Sequence, residues 1–455
     1  MIGSTPGPYL ISDKTSFAHE SAIKRWPVIL TQVIDAVFRV TRDSTDAEHT
    51  AEGKGIVEKL AKLKYELQHN RVLSPLDDDG GADIATYNIA LSSLGPDPKW
   101  FSTPWLYTEC YLYRRLRTFF SLTKTWTTYD PFSPLKSSTL KSSLPAVSEL
   151  ATRYLELITH PLHLTPTDPE NNEKLHLLFT EILEISLWGN ATDLSLLTSL
   201  TYTDLQSLQS STARKESEKN ILANDISRVF RALTAANPGR VDIVLDNSGF
   251  ELYVDLVLAG WLLETKLATE VVLHPKNIPW FVSDVLPHDF AELLNALHNS
   301  VSFFGTHLHT KELEKVFQHW ASLHSDGRLR ISTNDFWTSF HDFRNLPEDA
   351  PDVWELFKES ELVVYKGDLN YRKLTGDLMW PPETPFKEAI GRLGERGNGV
   401  RTLALRTCKA DVVVGLKEGV DEELRKGERE RRWAWGGRYA VVQFWDGKEV
   451  VEVDV

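Results

Sequence analysis

The stretch that most limits what this chain can fold into is the mostly β-branched, apolar run Val241 to Leu245, which is interrupted only by Asp242 and breaks at once into Asp246-Asn247-Ser248-Gly249. A run of this kind, closed by a polar, glycine-containing corner and followed by a helical pattern, marks a buried parallel strand that delivers residues to a ligand. From Phe250 the residues Leu252, Val254, Leu256, Val257, Leu258, Trp261 and Leu262 cover several turns and predict a largely buried helix. Glu251 and Asp255, four apart, share one of its faces. A second strand is expected over Glu270 to Leu273, followed by His-Pro-Lys-Asn and the apolar run Ile278 to Val282, which ends in Ser283-Asp284. The unit reads βαβ with carboxylates at both ends of its crossover. Ligands of open α/β sheets sit outside the carboxyl ends of the strands, so Asp246, Asn247 and Asp284 are expected to converge. Three such oxygen donors suit a hard divalent cation. Asp or Asn after a strand is also ordinary turn chemistry, and spacing leaves both readings open.

At 455 residues, with 42% hydrophobic and 25% charged side chains, the chain has ample material for a core and one or two domains. A formal charge of -14 argues against a general nucleic-acid binder and requires that an anionic substrate be met by a local cluster of Lys and Arg. Cys110 and Cys408 form neither a disulfide framework nor a zinc spacing, which fits a reducing cytoplasm or nucleus. The first residues carry no signal-peptide pattern and no apolar run is long enough to span a bilayer, so no membrane association is expected.

Residues 1–235 read as a mainly helical domain and 236–455 as an α/β domain. Helical periodicity is expected over Ser16 to Val40, Gly53 to Leu67, Trp105 to Leu122, Ser143 to Leu157, Lys174 to Trp188 and Ile221 to Leu233. Arg114, Arg115 and Arg117 are expected to serve helix dipole and solubility. In Leu187 to Leu194, Asn190 and Asp193 read as a helix stop and cap, or as ligand contacts. After Asp284, helices alternate with strands at Arg328 to Ile331, Leu362 to Tyr365 and Arg401 to Leu405, which predicts a mostly parallel sheet with helices on both faces, a Rossmann-like three-layer α/β fold. Lys417 to Arg432 reads as a solvated helix and turn, and Tyr439 to Trp445 with Lys448 to Val453 as a hairpin around Asp446-Gly447.

Two basic clusters follow strand ends: Lys366-Gly367-Asp368-Leu369-Asn370-Tyr371-Arg372-Lys373, and Arg406-Thr407-Cys408-Lys409. Glycine permits close backbone approach, and amides opening the next helix can meet a phosphate. In a parallel sheet both clusters share an edge with Asp246 and Asp284.

The blocks YDPFSPLKSSTL, LWGNATDL, LDNSGFE, HPKNIPWFVSDV, KGDLNYRKL and Arg-Thr-x-Lys, in this order over roughly 129 to 415, resemble those of the metal-dependent damage-control phosphatase family. The Arg-Thr-x-Lys motif points to its branch also described as protein-glutamate O-methyltransferase-like. The resemblance implies that Asp246, Asn247 and Asp284 hold one divalent metal (manganese, nickel, cobalt or magnesium) and contact substrate. It further implies that Gly367, Asp368, Leu369, Asn370, Tyr371, Arg372, Arg406 and Lys409 bind the phosphate and sugar portions of a small phosphometabolite, with fructose 1-phosphate and fructose 6-phosphate as the model substrates.

A mechanism follows from these parts. The cation would polarise phosphorus and lower the pKa of a bound water, while Lys409 and the Gly367 loop neutralise the phosphoryl oxygens. Glu251 is either a base that holds the attacking water or an acid favoured by the helix dipole. Alternatively Asp246 or Asp284 attacks phosphorus directly. Two other functions compete: an S-adenosylmethionine-dependent carboxyl methyltransferase, for which the turn Asn247 to Phe250 supplies no glycine-rich fingerprint, and a non-catalytic interaction protein that kept the fold.

Overall fold

The computed structural model of the protein describes residues 5–160, 162–163, 168–189, 219–426 and 431–448. Among the described residues seven strands form one sheet in the order β1-β7-β6-β5-β2-β3-β4. They are β1 (Ile221–Asn224), β2 (Gly239–Val244), β3 (Ala268–His274), β4 (Leu329–Ile331), β5 (Ser360–Lys366), β6 (Arg401–Thr407) and β7 (Ala440–Asp446). β6, β5, β2, β3 and β4 run parallel, whereas β7 is antiparallel to β6 and parallel to β1. The expected mostly parallel sheet is therefore present, with β2 at the middle of its five-stranded parallel run, flanked by β3 and β5.

The longer helices are α1 (Trp26–Asp43), α2 (Ala47–Gln68), α3 (Ile84–Ser93), α4 (Trp105–Ser121), α5 (Ser133–Ser142), α6 (Leu144–Thr159), α7 (Pro169–Trp188), α8 (Ile226–Ala235), α9 (Phe250–Glu264), α10 (Pro287–His298), α11 (Thr310–Ser325), α12 (Pro351–Lys358) and α13 (Gly367–Leu374). They cover both faces of the sheet, and the alternation of side chains along the strands decides which face each residue meets. Val241, Ile243, Leu362 and Val364 enter a core with α6, α7, α9 and α11. Val244, Val363 and Tyr365 point the other way, into a core with α1, α2, α4 and the segment around Trp337. Both cores draw residues from either side of position 235. Because both faces are buried, the strands are rich in consecutive apolar residues, such as Ile243 to Leu245, Val271 to Leu273 and Leu362 to Val364. No helix among the described residues is long and apolar enough to cross a membrane.

Three local expectations change. Ile221 to Leu233 is not one helix: Ile221–Asn224 pairs with β7, and α8 begins only at Ile226, whose amide is capped by Asn224 Oδ1 at 3.1 Å. A four-residue edge strand is too short to show its own period before the helical one takes over. Arg114 is not a solubility feature. It is buried, and its guanidinium forks onto Asp79 (2.8 Å) and Asp83 (2.6 Å), pinning the acidic loop Asp77 to Gly81 onto α4. Although burial opposes it, hydrogen bonding by Arg114 holds the Asp79 carboxyl well below the usual carboxylate range. In the charged stretch after Lys417, Asp421 is buried and accepts from Arg431 and the Trp433 indole. The segment 190–218, which includes Asn190 and Asp193, and the expected second hairpin strand from 449 onward lie outside the described residues.

Candidate active site

β2 ends at Val244 and the chain turns through Asp246 and Asn247 to Gly249, whose φ of 70° is open to glycine and lets α9 start at Phe250. The loop after β3 is zipped to this corner by backbone hydrogen bonds: Val285 N donates to Asp246 O (2.9 Å) and Ser248 N to Ser283 O (2.7 Å). Asn247 and Asp284 thus form an isolated antiparallel bridge. Two residues just before Asp284 are non-glycine residues in the left-handed region, Phe281 (φ 41°) and Val282 (φ 72°). For a β-branched valine this conformation is costly. It reverses the chain so that Ser283 reaches Asn247 Oδ1 (2.5 Å) and Asp284 turns inward. Lys276, fully buried, braces the corner with its Nζ 2.7 Å from Leu245 O and 3.4 Å from Asp284 Oδ2.

Asp246, Glu251 and Asp284 are all buried. Burial, reinforced by Glu251 and Asp284, raises the Asp246 carboxyl well above the usual range. Burial likewise pushes Asp284 up to about 6 despite the attraction of Lys276. Asn247 Nδ2 partly relieves the crowding, donating to Asp246 Oδ2 (2.7 Å) and Glu251 Oε2 (2.9 Å). Oδ2 of Asp284 accepts no hydrogen bond among the described residues. The crevice therefore gathers three desolvated carboxylates whose charged forms disfavour one another, and the donor atoms that they offer are all oxygen. A half-turn of the Asn247 amide would present Oδ1 to the same carboxylates and leave Nδ2 for Ser283 Oγ, which accepts as readily as it donates. These residues fit a hard divalent cation.

A second acidic group, Asp130, His288 and Asp289, also converges. Its centre is already taken: Lys136 Nζ lies 3.0 Å from Asp130 and 2.8 Å from Asp289. This is a closed ion-pair node that ties α5 to the start of α10, where Asp289 also accepts from Leu286 N.

The basic loops meet the same corner. Gly367, with φ of 79°, follows β5 directly, and a β-carbon there would stand 1.9 Å from Asp246 Oδ2. The N-terminus of α13 is thereby set against the acid cluster. Asn370 does not extend into open space; its Nδ2 donates to Lys366 O (2.7 Å) and to Val244 O and Leu245 O (3.2 Å each), fastening the ends of β2 and β5 together. Leu369 and Tyr371 are buried, the Tyr371 hydroxyl donating to Gln443. The Arg372 guanidinium is engaged by Glu109 (2.7 Å) and Asp377 (3.0 Å) and lies 3.6 Å over the Trp105 ring. Arg406, fully buried, braces Asp368 and the carbonyls of Ala410 and Val412. Asp368 also accepts from Lys409 N (2.9 Å), joining the loops after β5 and β6. The half-buried Lys409 is near enough to Asp246 to favour its charged form. The sequence-selected residues therefore split into a cluster at the crevice (Asp246, Asn247, Glu251, Asp284, Gly367, Lys409) and a brace behind it (Asp368, Leu369, Asn370, Tyr371, Arg372, Arg406).

A cavity of about 250 Å³ opens beside the cluster, lined in part by Lys136, Thr139, Gly189, Asn247, Glu251 and Val282. Sequence reasoning did not select Lys136, Lys276, Ser283 or Lys366. Each lies inside a block singled out above, but a lysine in a polar loop looks solvated until packing buries it.

A three-layer sheet with a desolvated acid cluster and a helix N-terminus at the carboxyl ends of its central strands is that of an α/β enzyme whose ligand sits at the switch between strands. The model of the "Damage-control phosphatase ARMT1-like domain" matches residues 21–424. Damage-control phosphatase ARMT1 of Xenopus laevis is 36% identical over 445 residues, covering 94% of this chain and 96% of that protein. The Bos taurus protein of the same name is 34% identical over 460 residues, covering 97% and 99%, and the human one 34% identical over 452 residues, covering 95% and 97%. The crystal structure of a DUF89 family protein from Pyrococcus horikoshii aligns with 90% of this chain and 95% of that one, at 13% identity and a TM-score of 0.38. The chain belongs to the ARMT1-like damage-control phosphatase family.

Proposed function

We propose that this protein is a divalent-metal-dependent phosphomonoester hydrolase acting on small sugar phosphates of the fructose 1-phosphate and fructose 6-phosphate type, in the cytoplasm or nucleus. The observation that carries the reading is the contact between Gly367 and Asp246, which joins a helix N-terminus suited to a phosphate with an acid cluster suited to a cation. Asp246, Asn247 and Asp284 would hold the metal, whose chemistry when bound is Lewis-acid polarisation of the phosphoryl group. Lys409 and the amides opening α13 bind the phosphoryl oxygens and neutralise charge as the loose transition state forms. Glu251, buried beside Asn247 with its Oε1 3.6 Å from the Lys366 ammonium, orients the attacking water and accepts its proton. The neighbouring cavity of about 250 Å³ receives the sugar. Direct attack by Asp246 or Asp284 is the competing route; labelled solvent oxygen recovered in an aspartate after one turnover would select it.

The test is phosphate release from a panel of sugar phosphates by metal-stripped protein with manganese, cobalt, nickel or magnesium added back. Metal-restored release that favours ketose phosphates supports the reading. Absence of release under every condition, or methyl transfer from S-adenosylmethionine in its place, rejects it.

A further inference from the structure

Beneath the acid cluster lies a second buried polar group that takes no part in the reaction just described. Lys366, the last residue of β5, sends its ammonium across to α9 and the end of α7. Its three hydrogens are accounted for by Ser186 O (2.5 Å), Ser186 Oγ (2.7 Å) and Asp255 Oδ1 (2.8 Å). The Ser186 hydroxyl in turn donates to Asp255 Oδ1 at 2.7 Å. Ser186 can reach this point because α7 and α9 approach closely: at Gly189 a β-carbon would stand 2.4 Å from Val254 Cγ2. Glu251 Oε1 lies 3.6 Å from the same ammonium. Glu251 thus receives charge from Lys366 but no hydrogen, while its other oxygen is hydrogen-bonded by Asn247.

We infer that Lys366, Asp255 and Ser186 form a positioning unit that fixes Glu251 in the crevice and couples it to the Gly367 turn. Glu251 and Asp255 sit one helical turn apart on the same face of α9, where two carboxylates repel. Lys366 offsets that repulsion from below and so keeps Glu251 directed toward Asn247 rather than away from its neighbour. Burial disfavours the charge on Lys366, yet Asp255 and Glu251 outweigh burial and hold its proton more firmly than in an ordinary lysine. The backbone of Lys366 leads directly into Gly367, so one residue sets both the acid and the phosphate-facing helix start. A fully buried ion pair contributes little net stability compared with apolar packing, which leaves placement as its physical rationale.

The inference rests on Glu251 acting on the attacking water. Its test is a double-mutant cycle in the full-length, manganese-loaded protein with p-nitrophenyl phosphate as probe, comparing wild type, Asp255→Asn, Glu251→Gln and the double variant. Asp255→Asn is expected to lower kcat about tenfold with KM changed less than about threefold, because displaced catalytic groups cost rate rather than binding. Manganese affinity by calorimetry should stay unchanged, and Asp255→Asn should add no further loss to Glu251→Gln. Multiplicative losses in the double variant, or a loss explained by weaker manganese binding, would overturn the positioning role and leave Glu251 in place. If Glu251→Gln alone keeps wild-type kcat, the role of Glu251 falls and the inference falls with it. Should Asp255→Asn fail to fold, Ser186→Ala keeps the charge balance and enters the same cycle, with a smaller loss in kcat that Glu251→Gln again masks; an additive loss there counts equally against the unit.

Discussion

Gly367 and Asp246 touch so closely that the position of one fixes the other: a β-carbon on Gly367 would lie 1.9 Å from Oδ2 and 2.2 Å from Cγ of the aspartate. Only a residue without a β-carbon lets the turn after β5 lie against the Asp246 side chain as it stands. Gly367→Ala adds a methyl group at a left-handed φ and drives it into the carboxylate, at a cost of about 1–3 kcal/mol from backbone strain alone. The expected outcome is a protein that folds with a lowered melting temperature and loses at least about a hundredfold in kcat/KM. Activity within a factor of about three of wild type would show that the contact does not matter to turnover.

Asp246→Ala and Asp284→Ala each remove one oxygen donor from the crevice and relieve crowding among the remaining carboxylates. Calorimetry with manganese should show tight binding to wild type and none to either variant, with phosphate release falling by about a thousandfold or more, the scale of a lost catalytic group. Chelation of the wild type should abolish release, and added metal should restore it. Retention of metal-dependent turnover by Asp246→Ala would move the metal elsewhere.

Much of the fold and part of the site were legible in the sequence, for reasons visible in particular residues. Val241 to Leu245 is buried on both faces, so only Asp242, itself buried and paired with Arg240 and His274, interrupts its apolar run, and the convergence of Asp246 with Asp284 followed from strands that end on one edge. What escaped was long-range. Nothing near Lys276 or Lys366 in the chain announces that each is buried against carboxylates, because their partners come from other elements. Arg114 looked like a surface charge since Asp79 and Asp83 lie a full helix and two loops earlier. Asn370, Arg372 and Arg406 were selected as ligand contacts from their blocks, whereas their side chains are engaged in fastening strand ends and loops. β1 was hidden because it is a strand of only four residues.

Val282→Gly tests the strained reversal before Asp284. Glycine removes a penalty of about 1–3 kcal/mol for valine at positive φ, against roughly 0.5–1 kcal/mol of added freedom in the unfolded chain. The variant should melt at or above the wild-type temperature while kcat/KM falls, because the loop no longer holds Ser283 and Asp284 in one orientation. A melting temperature several degrees lower would mean that the side-chain packing of Val282 outweighs backbone strain.

Asp411 offers a pH test away from the acid cluster. It accepts from Ser16 Oγ (3.1 Å) and Phe17 N (2.9 Å), capping the helical turn that begins at Phe17. Burial, opposed by the Ser16 hydrogen bond and aided by Asp377, pushes its carboxyl up to about 6, against about 4 in the unfolded chain. The folded state therefore binds the proton more tightly. The contribution of this residue is fully present below about pH 4 and is lost as pH rises through about 6, a difference of about 3 kcal/mol. Asp411→Asn, which keeps the acceptor, should match wild type near pH 4 and exceed it in melting temperature at pH 8. A less stable variant at pH 8 would show that the attraction of Arg431 outweighs burial.

The insertion of β7 between β1 and β6 has a consequence for how the chain is made. As it leaves the ribosome, the parallel part of the sheet can assemble from β2 to β6, yet β1, made before any of them, waits for its neighbour until Ala440 to Asp446 emerges. Until then β6 presents an open edge to the surroundings. A nascent or truncated chain stopping short of position 440 would expose that edge to other chains, so a premature stop in the last stretch of the coding sequence is expected to produce aggregation rather than a slightly weakened enzyme.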